Sequence, residues 1–232
     1  MHSITELPAW ERLLKKIAWA QMGEIRGKHV LDFGSGQGIT ASYLAGSNAV
    51  VAVEPSADML KDRWQDEHYT QLIGDVSSLE SIPDQTFDVI VCHNVLEYVE
   101  NKAQVVAALS RVLKMGGMMS IIKHNRAGRV MQMAVLLDDM DKAHRLLNGE
   151  DSTASQFGAI RYYEDEDITR WAPEMQVEKC LGIRTFWDLQ QNQEKHGDEA
   201  WQSRMMALEM RVSDLDEYRR IAFFHHLILK KY

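Results

Sequence analysis

The chain has 232 residues, enough for one domain with elaborations or for a domain and a small cap. Hydrophobic residues make up 45%, so a sizeable core is available, yet no apolar run approaches the roughly 18 residues of a membrane span, and the N-terminal MHSITELPAWERLLKK lacks the charged-then-apolar order of a secretory leader. The formal charge of −8 is shared equally by the segments before and after residue 124, which excludes a broad basic track for nucleic acid, and the two cysteines, Cys92 and Cys180, have no metal-type spacing and suit a reducing cytoplasm rather than a disulfide framework.

The apolar positions of AWERLLKKIAWAQM recur at Trp10, Leu13, Leu14, Ile17 and Ala18, the spacing of a helix over 9–22. HVLDF is a short apolar strand that runs into glycines, and TASYLA after them reads as helix. AVVAVE is a second strand ending in Glu54, followed by a helix over SADMLKDRWQDE capped by Ser56. YTQLIG and FDVIVCH are the third and fourth strands. NKAQVVAALSRVLKMGG is a helix with an Asn101 cap and a glycine stop, and MMSIIKH is the fifth strand. Five strands separated by helices predict right-handed crossovers and a parallel sheet covered on both faces, with ligands held beyond the carboxyl ends of the strands.

The pattern changes after residue 124. Residues 125–160 are Met-rich and then polar, an insertion expected to act as a lid on the sheet edge. YEDEDITRWAP is a helix capped around Glu164–Asp167 and stopped by Pro173, and QVEKCLGIRTFWD is a sixth strand. One or two helices precede a final strand in IAFFHHLILKKY, which is expected to pair antiparallel. One domain accounts for all 232 residues: an N-terminal helix (1–28), a cofactor-binding core (29–124), the insertion (125–160) and the C-terminal part of the sheet (161–232).

The chemistry concentrates in HVLDFGSGQG. A glycine loop between strand and helix lets backbone approach a ligand closely. The dinucleotide fingerprint spaces its glycines G-x-G-x-x-G, whereas Gly34, Gly36 and Gly38 read G-x-G-x-G with acidic Asp32 two residues ahead. An acid there repels a pyrophosphate and suits a cation. Glu54 ends the second strand 20 residues after Gly34, placed for the two hydroxyls of a ribose. Asp75 ends the third strand, placed for an exocyclic amine. A nucleoside with a cationic, amino-acid-like extension satisfies all three, and S-adenosyl-L-methionine is such a ligand. No G-x-S-x-G elbow, zinc spacing or P-loop is present to point elsewhere.

VLDFGSGQG, VAVEPS, GDV, FDVIVCHNVLEYV and LKMGGMMSI, in this order and spacing over residues 29–123, resemble the class I S-adenosylmethionine-dependent methyltransferases. The resemblance implies an α/β doubly wound, mostly parallel seven-stranded Rossmann-like sheet with the insertion after strand five. It implies that Gly34, Ser35 and Gly36 pack on the methionyl part, that Glu54, with Pro55 and Met59 beside it, holds the ribose, and that Asp75 and Val76 frame the adenine. His93 and Asn94 would then face the methionyl group and the transfer site, and Arg12 could reach the methionyl carboxylate or be plain surface. A narrower resemblance, in CHNVLEYVENKAQVVAALSRVLKMGGMMSIIKHN, GIRTFWD and ALEMRVSDLDEYRRIAFFHHLILKK, is to the tRNA carboxymethoxyuridine methyltransferases, which esterify a wobble-uridine carboxylate.

Each site residue also has a plainer role. Asp32 would cap the turn, Asp75 would close an Asx turn, and the tryptophans would pack in the core. Lys123, Asn125, Arg126, Arg129 and Arg184 form a solvated face or, with Tyr98, the binding site for an anionic acceptor. His225 and His226 point to opposite faces of the last strand. A carboxylate nucleophile needs no base at neutral pH; for a phenol or amine, His93 and His124 are the candidates. The expected activity is methyl transfer to oxygen or nitrogen of an anionic small molecule, alternatively to a tRNA anticodon-loop carboxylate. The alternative of another class is a cofactor-binding subunit without transfer activity. The chain is expected to be cytoplasmic, without membrane or metal, as a monomer or homodimer, releasing S-adenosylhomocysteine.

Overall fold

The computed structural model describes residues 2–154 and 158–232, so residues 155–157 of the expected insertion lie outside the described residues. Helix α1 (Ala9–Met22) leads into strand β1 (His29–Phe33), then α2 (Ile39–Ala45), β2 (Ala49–Glu54), α3 (Ala57–Lys61) and β3 (Thr70–Ile73). Strand β4 (Phe87–His93), helix α4 (Lys102–Val112) and strand β5 (Leu113–His124) complete the core. The insertion forms α5 (Arg126–Met131), a π-type turn over Gln132–Leu136, α6 (Met140–Leu147) and an antiparallel ribbon of β6 (Ser152–Ala154) with β7 (Gly158–Ile160). Helix α7 (Asp167–Trp171), strand β8 (Met175–Ile183), helices α8 (Glu199–Val212) and α9 (Asp216–Arg219) and strand β9 (Phe224–Lys231) follow.

Seven strands form one sheet in the order β3-β2-β1-β4-β5-β9-β8. The first five pair in parallel, and β9 inserts antiparallel between β5 and β8, the direction expected for the last strand. Parallel strands covered on both faces are apolar on both, and β1 shows it. Leu31 and Phe33 pack with Val105, Val106 and Leu109 of α4 and Ile168 of α7, while Val30 packs with Ala41 and Leu44 of α2 and Met22 of α1. A third cluster joins Leu13, Leu14 and Ile17 of α1 to Ile183 and Phe224 and to the methionines of α8.

Two local expectations are corrected. Helix α4 ends at Val112, before the glycines, because Leu113 turns to extended geometry to join β5; Gly116 and Gly117 lie inside that strand. The helix after Ser56 stops at Lys61, with Asp62 leaving helical geometry. The glycine loop matches its spacing. Gly34 (φ +75°) and Gly38 (φ +73°) are left-handed, and a Cβ on Gly34 would stand 2.2 Å from Val95 Cγ2. Strand order reverses at β1, whose neighbours are β2 and β4, so this loop sits at the crevice where doubly wound sheets bind ligands.

Candidate functional site

Most N–H groups of the loop after β1 are used within the protein rather than offered to a ligand. Gly34 and Ser35 donate to the Val53 carbonyl at 2.8 and 3.0 Å, and Gly38 donates to the Ser35 carbonyl at 2.9 Å. Gly36 N–H donates to Glu54 Oε2 at 2.8 Å and Ser56 N–H to Glu54 Oε1 at 2.9 Å. Glu54 thus ties β2 to the loop while the second lone pair of each oxygen stays available. A pyrophosphate would find spent donors and a carboxylate here.

Two cavities open on either side of this loop and share Gly34, Pro55, Val95 and Val99. One, of about 300 Å³, is mostly apolar and is lined by Phe33, Val53, Asp75, Val76 and Val105. The other, of about 370 Å³, is lined by Lys15, Ser35, Glu54, Met59, His93, Asn94 and Tyr98, among others. Asp75 combines its two expected roles. It lines the first cavity, and its Oδ1 accepts from Ser77 N–H at 2.9 Å and Ser77 Oγ at 2.8 Å, which closes an Asx turn.

Asp32 lies beneath the loop rather than on a cavity wall. It is 3% exposed, and burial raises its pKa to about 6 despite the opposing charge of Lys15 and a hydrogen bond from the Ala41 N–H in the first turn of α2. Its Oδ2, Ser35 Oγ and Asn94 Oδ1 are buried without a partner among the described residues. Asn94 also sits at φ +55°, a conformation that costs about 1 kcal/mol or more in a residue other than glycine and gathers at functional sites. Unpartnered acceptors beside a spent loop fit a cationic, donor-rich group and not an anion, which is what the ammonium and sulfonium of S-adenosylmethionine require.

Residues 31–121 match the family model of a methyltransferase domain. A ubiquinone biosynthesis O-methyltransferase of Glaesserella parasuis is 31% identical over 120 residues, 47% of this chain and 51% of that protein. Over this segment the chain carries a methyltransferase domain similar to the class I S-adenosylmethionine-dependent enzymes. The chain spans about half the length of most of the curated relatives it matches. The S-adenosylmethionine-dependent methyltransferase of Mesorhizobium loti superposes with a TM-score of 0.59 over 99% of this chain and 100% of that one at 14% identity. The 1,6-didemethyltoxoflavin-N1-methyltransferase of Burkholderia thailandensis, solved with 1,6-didemethyltoxoflavin and S-adenosylhomocysteine, superposes at 0.56 over 98% and 80% of the two chains at 13% identity. These two likenesses establish the fold, and no helix among the described residues is long and apolar enough to cross a membrane.

Around the rest of the methyltransferase site the structure re-sorts the expected residues. Arg12 points away from the loop and donates to Gln202 Oε1 at 2.9 Å and the Thr5 carbonyl at 3.3 Å. The α1 residues that reach the cavity are Glu11 and Lys15, one turn apart, with Lys15 Nζ 3.2 Å from Thr40 Oγ1. Sequence reading missed both, although helical spacing pairs them on one face. Lys123 is committed elsewhere. It is 4% exposed, ion-paired to Asp165 Oδ1 at 2.8 Å and hydrogen-bonded to the Tyr163 carbonyl. Arg184 forms a buried two-point pair with Asp188, its guanidinium 5.4 Å from the Trp10 ring. Asn125 caps α5 and donates to the Arg220 and Ala222 carbonyls at 2.9 and 2.8 Å. Arg126 donates to the Leu146 and Glu150 carbonyls and covers Tyr162 at 4.4 Å.

Arg129 alone of these cations keeps a buried donor, Nε, without a partner among the described residues, while Nη1 donates to Gln132 Oε1. Tyr162 Oη and Ser152 Oγ are buried beside it and lie next to each other. Tyr98 lines the cavity; burial, then the nearby Glu97 and Tyr162, push its hydroxyl up to about 12, so it stays protonated. His124 N–H and Nδ1 meet Glu97 Oε1 at 2.6 and 2.9 Å, and its ring centroid stands 6.4 Å from that of Tyr98. His225, Asp165 and Cys180 bring ligand-type atoms within 4.8 Å of one another. Burial pushes the Asp165 carboxyl up, but His225 and Lys123 outweigh it and the net pKa falls; with Lys123 already on that carboxylate, a metal cation would face an ammonium.

Proposed function

We propose that this chain transfers a methyl group from S-adenosylmethionine to an oxygen or nitrogen of an anionic small molecule. The observation that carries the reading is the cavity at the glycine loop, lined by Lys15, Glu54 and Tyr98 with buried, unpartnered acceptors at Ser35 and Asn94, while the neighbouring insertion keeps a buried donor, Arg129 Nε, without a partner among the described residues.

On this reading the apolar cavity takes the adenine, with Asp75 at its edge. Glu54 accepts from the ribose hydroxyls with its remaining lone pairs, and Lys15 meets the methionyl carboxylate. Asp32, beneath the loop, offers negative charge to the cationic end. The cofactor supplies an activated methyl on a sulfonium, so the protein's task is alignment and exclusion of water more than acid–base chemistry. Arg129 and Tyr162 hold the acceptor's anion, which aims its heteroatom past Tyr98. Where that heteroatom carries a proton, His124 is the base, because the Glu97 carboxylate stabilises the imidazolium that results. The insertion covers the acceptor side around its own small core of Met133, Ala143 and Leu146.

The test is transfer of labelled methyl from S-adenosylmethionine into fractionated cell extract. Label in acidic small molecules is the expected result. Label in tRNA that survives nuclease digestion as a modified wobble uridine would move the anion to an anticodon loop, the alternative acceptor. Calorimetric binding of S-adenosylmethionine with no labelled fraction would mark a cofactor-binding subunit instead.

A further inference from the structure

A polar chain runs from α1 through the sheet to the cavity, and the reading above makes no use of it. Gln21 Nε2 donates to the Gly182 carbonyl at 3.1 Å. Gln21 Oε1 is 2.7 Å from His226 Nδ1, His226 Nε2 is 2.7 Å from Ser120 Oγ, and Ser120 Oγ is 2.8 Å from His93 Nε2. Ser120 and His226 are wholly buried on neighbouring strands β5 and β9, while His93 ends β4 on the cavity wall.

The direction of every bond follows from one end. A backbone carbonyl only accepts, so Gln21 turns its NH₂ group toward Gly182 and its oxygen toward His226. An amide oxygen also only accepts, so His226 carries its proton on Nδ1. Burial pulls His226 down to about 3, so this ring is neutral and Nε2 is a lone pair. The Ser120 hydroxyl donates its single hydrogen there and can only accept from His93. His93 therefore bears its proton on Nε2. Burial first, then the neighbouring His226 and Lys15, hold it well below the usual imidazole range, so it too is neutral. What remains is Nδ1, a bare lone pair with no hydrogen-bond partner among the described residues. Had the chain begun at a donor, every proton would be reversed and His93 would present an N–H.

We propose that Gln21, Ser120 and His226 are positioning residues that lock His93 in the Nε2–H tautomer, so that Nδ1 accepts a hydrogen bond from a ligand in the cavity. The ligand group is an N–H or O–H donor, either the ammonium of the cofactor's amino-acid end or a hydroxyl of the methyl acceptor. The ligand half of the inference rests on the methyltransferase reading; the tautomer half does not.

Long-range ¹H–¹⁵N correlation on the full chain labelled with ¹⁵N-histidine reports which nitrogen of each ring carries the proton. In the ligand-free protein, His226 is expected as Nδ1–H and His93 as Nε2–H. Ser120→Ala removes the acceptor from His93 Nε2, and Gln21→Leu, at a half-buried helix position that leaves the sheet intact, removes the anchor. Each should shift His93 to a mixture of tautomers. His93 found as Nδ1–H in the wild type, or unchanged in both Ser120→Ala and Gln21→Leu, overturns the proposal. S-adenosylhomocysteine is then added, followed by 3,4-dihydroxybenzoate as a hydroxyl-bearing anionic probe. A shift of His93 Nδ1 with the first identifies the ammonium, and a shift only with the second identifies the hydroxyl. No shift with either, while calorimetry shows S-adenosylhomocysteine bound, refutes the ligand half. Failure of S-adenosylhomocysteine to bind refutes the methyltransferase reading, and the tautomer result stands on its own.

Discussion

Replacing Glu54 separates two roles of one carboxylate. In the ligand-free protein it accepts from the Gly36 and Ser56 N–H groups at 2.8 and 2.9 Å, so Glu54→Ala leaves two loop donors without a partner. Hydrogen bonds to a charged group contribute about 1.5–3 kcal/mol each, and water entering the cavity replaces part of that. The expected loss of stability is about 2 kcal/mol, or roughly 4–8 °C in Tm for a chain of this size. The proposed ribose contact is a further interaction and needs its own measurement. Calorimetry with S-adenosylhomocysteine and with its 2′-deoxy analogue, on the wild type and on Glu54→Ala, forms a double-mutant cycle. Removal of the hydroxyl should cost the wild type about tenfold or more in Kd, since a charge-assisted bond of at least about 1.4 kcal/mol is lost. In Glu54→Ala the two ligands should bind alike. An equal ratio for the two ligands in both proteins would refute the ribose contact, and an unchanged Tm would refute the loop contact.

Asp32 should impose a pH dependence on stability. Its pKa is raised to about 6 in the folded state against 3.8, so the folded protein holds the proton more tightly. Stability therefore falls as pH rises between about 4 and 6, by roughly 2–3 kcal/mol, and urea titrations of Asp32→Asn should lack that component; identical pH profiles would exclude it. Arg184→Met should cost about 3–5 kcal/mol in urea denaturation without any ligand, because it strands the buried Asp188 carboxylate. Arg129→Met should leave stability within about 1 kcal/mol and instead raise KM for the acceptor; the reverse pattern would interchange their roles. Gly34→Ala should destabilise the chain by more than about 1 kcal/mol and weaken S-adenosylhomocysteine binding, because φ is +75° and the added methyl meets Val95 at 2.2 Å; wild-type Tm and Kd together would contradict the loop geometry.

What the sequence determined by itself is what short-range chemistry controls. Alternating strands and helices dictate a covered parallel sheet. The three left-handed glycines, the acid ahead of them and the acid 20 residues after Gly34 are local features of a loop and two strand ends, and in the folded chain the loop and Glu54 meet at hydrogen-bond distance. The last strand pairs antiparallel, as expected, but its seat between β5 and β8 was not legible in the sequence. Tertiary structure decided everything that depends on which way an element faces or on where a distant partner lies. Arg12 and Lys15 are both cations on one helix, and the packing of Leu13, Leu14 and Ile17 sets the rotation that sends Lys15 to the cavity and Arg12 to Gln202. Lys123 and Arg184 resemble binding cations in the sequence, but burial demands that a charge be neutralised, and Asp165 and Asp188 are brought to them by folding. Gln21, His93, Ser120 and His226 share no spacing that a reader of the sequence would connect. Their protons are ordered only because β4, β5 and β9 lie side by side and α1 crosses over them to meet the carbonyl of Gly182.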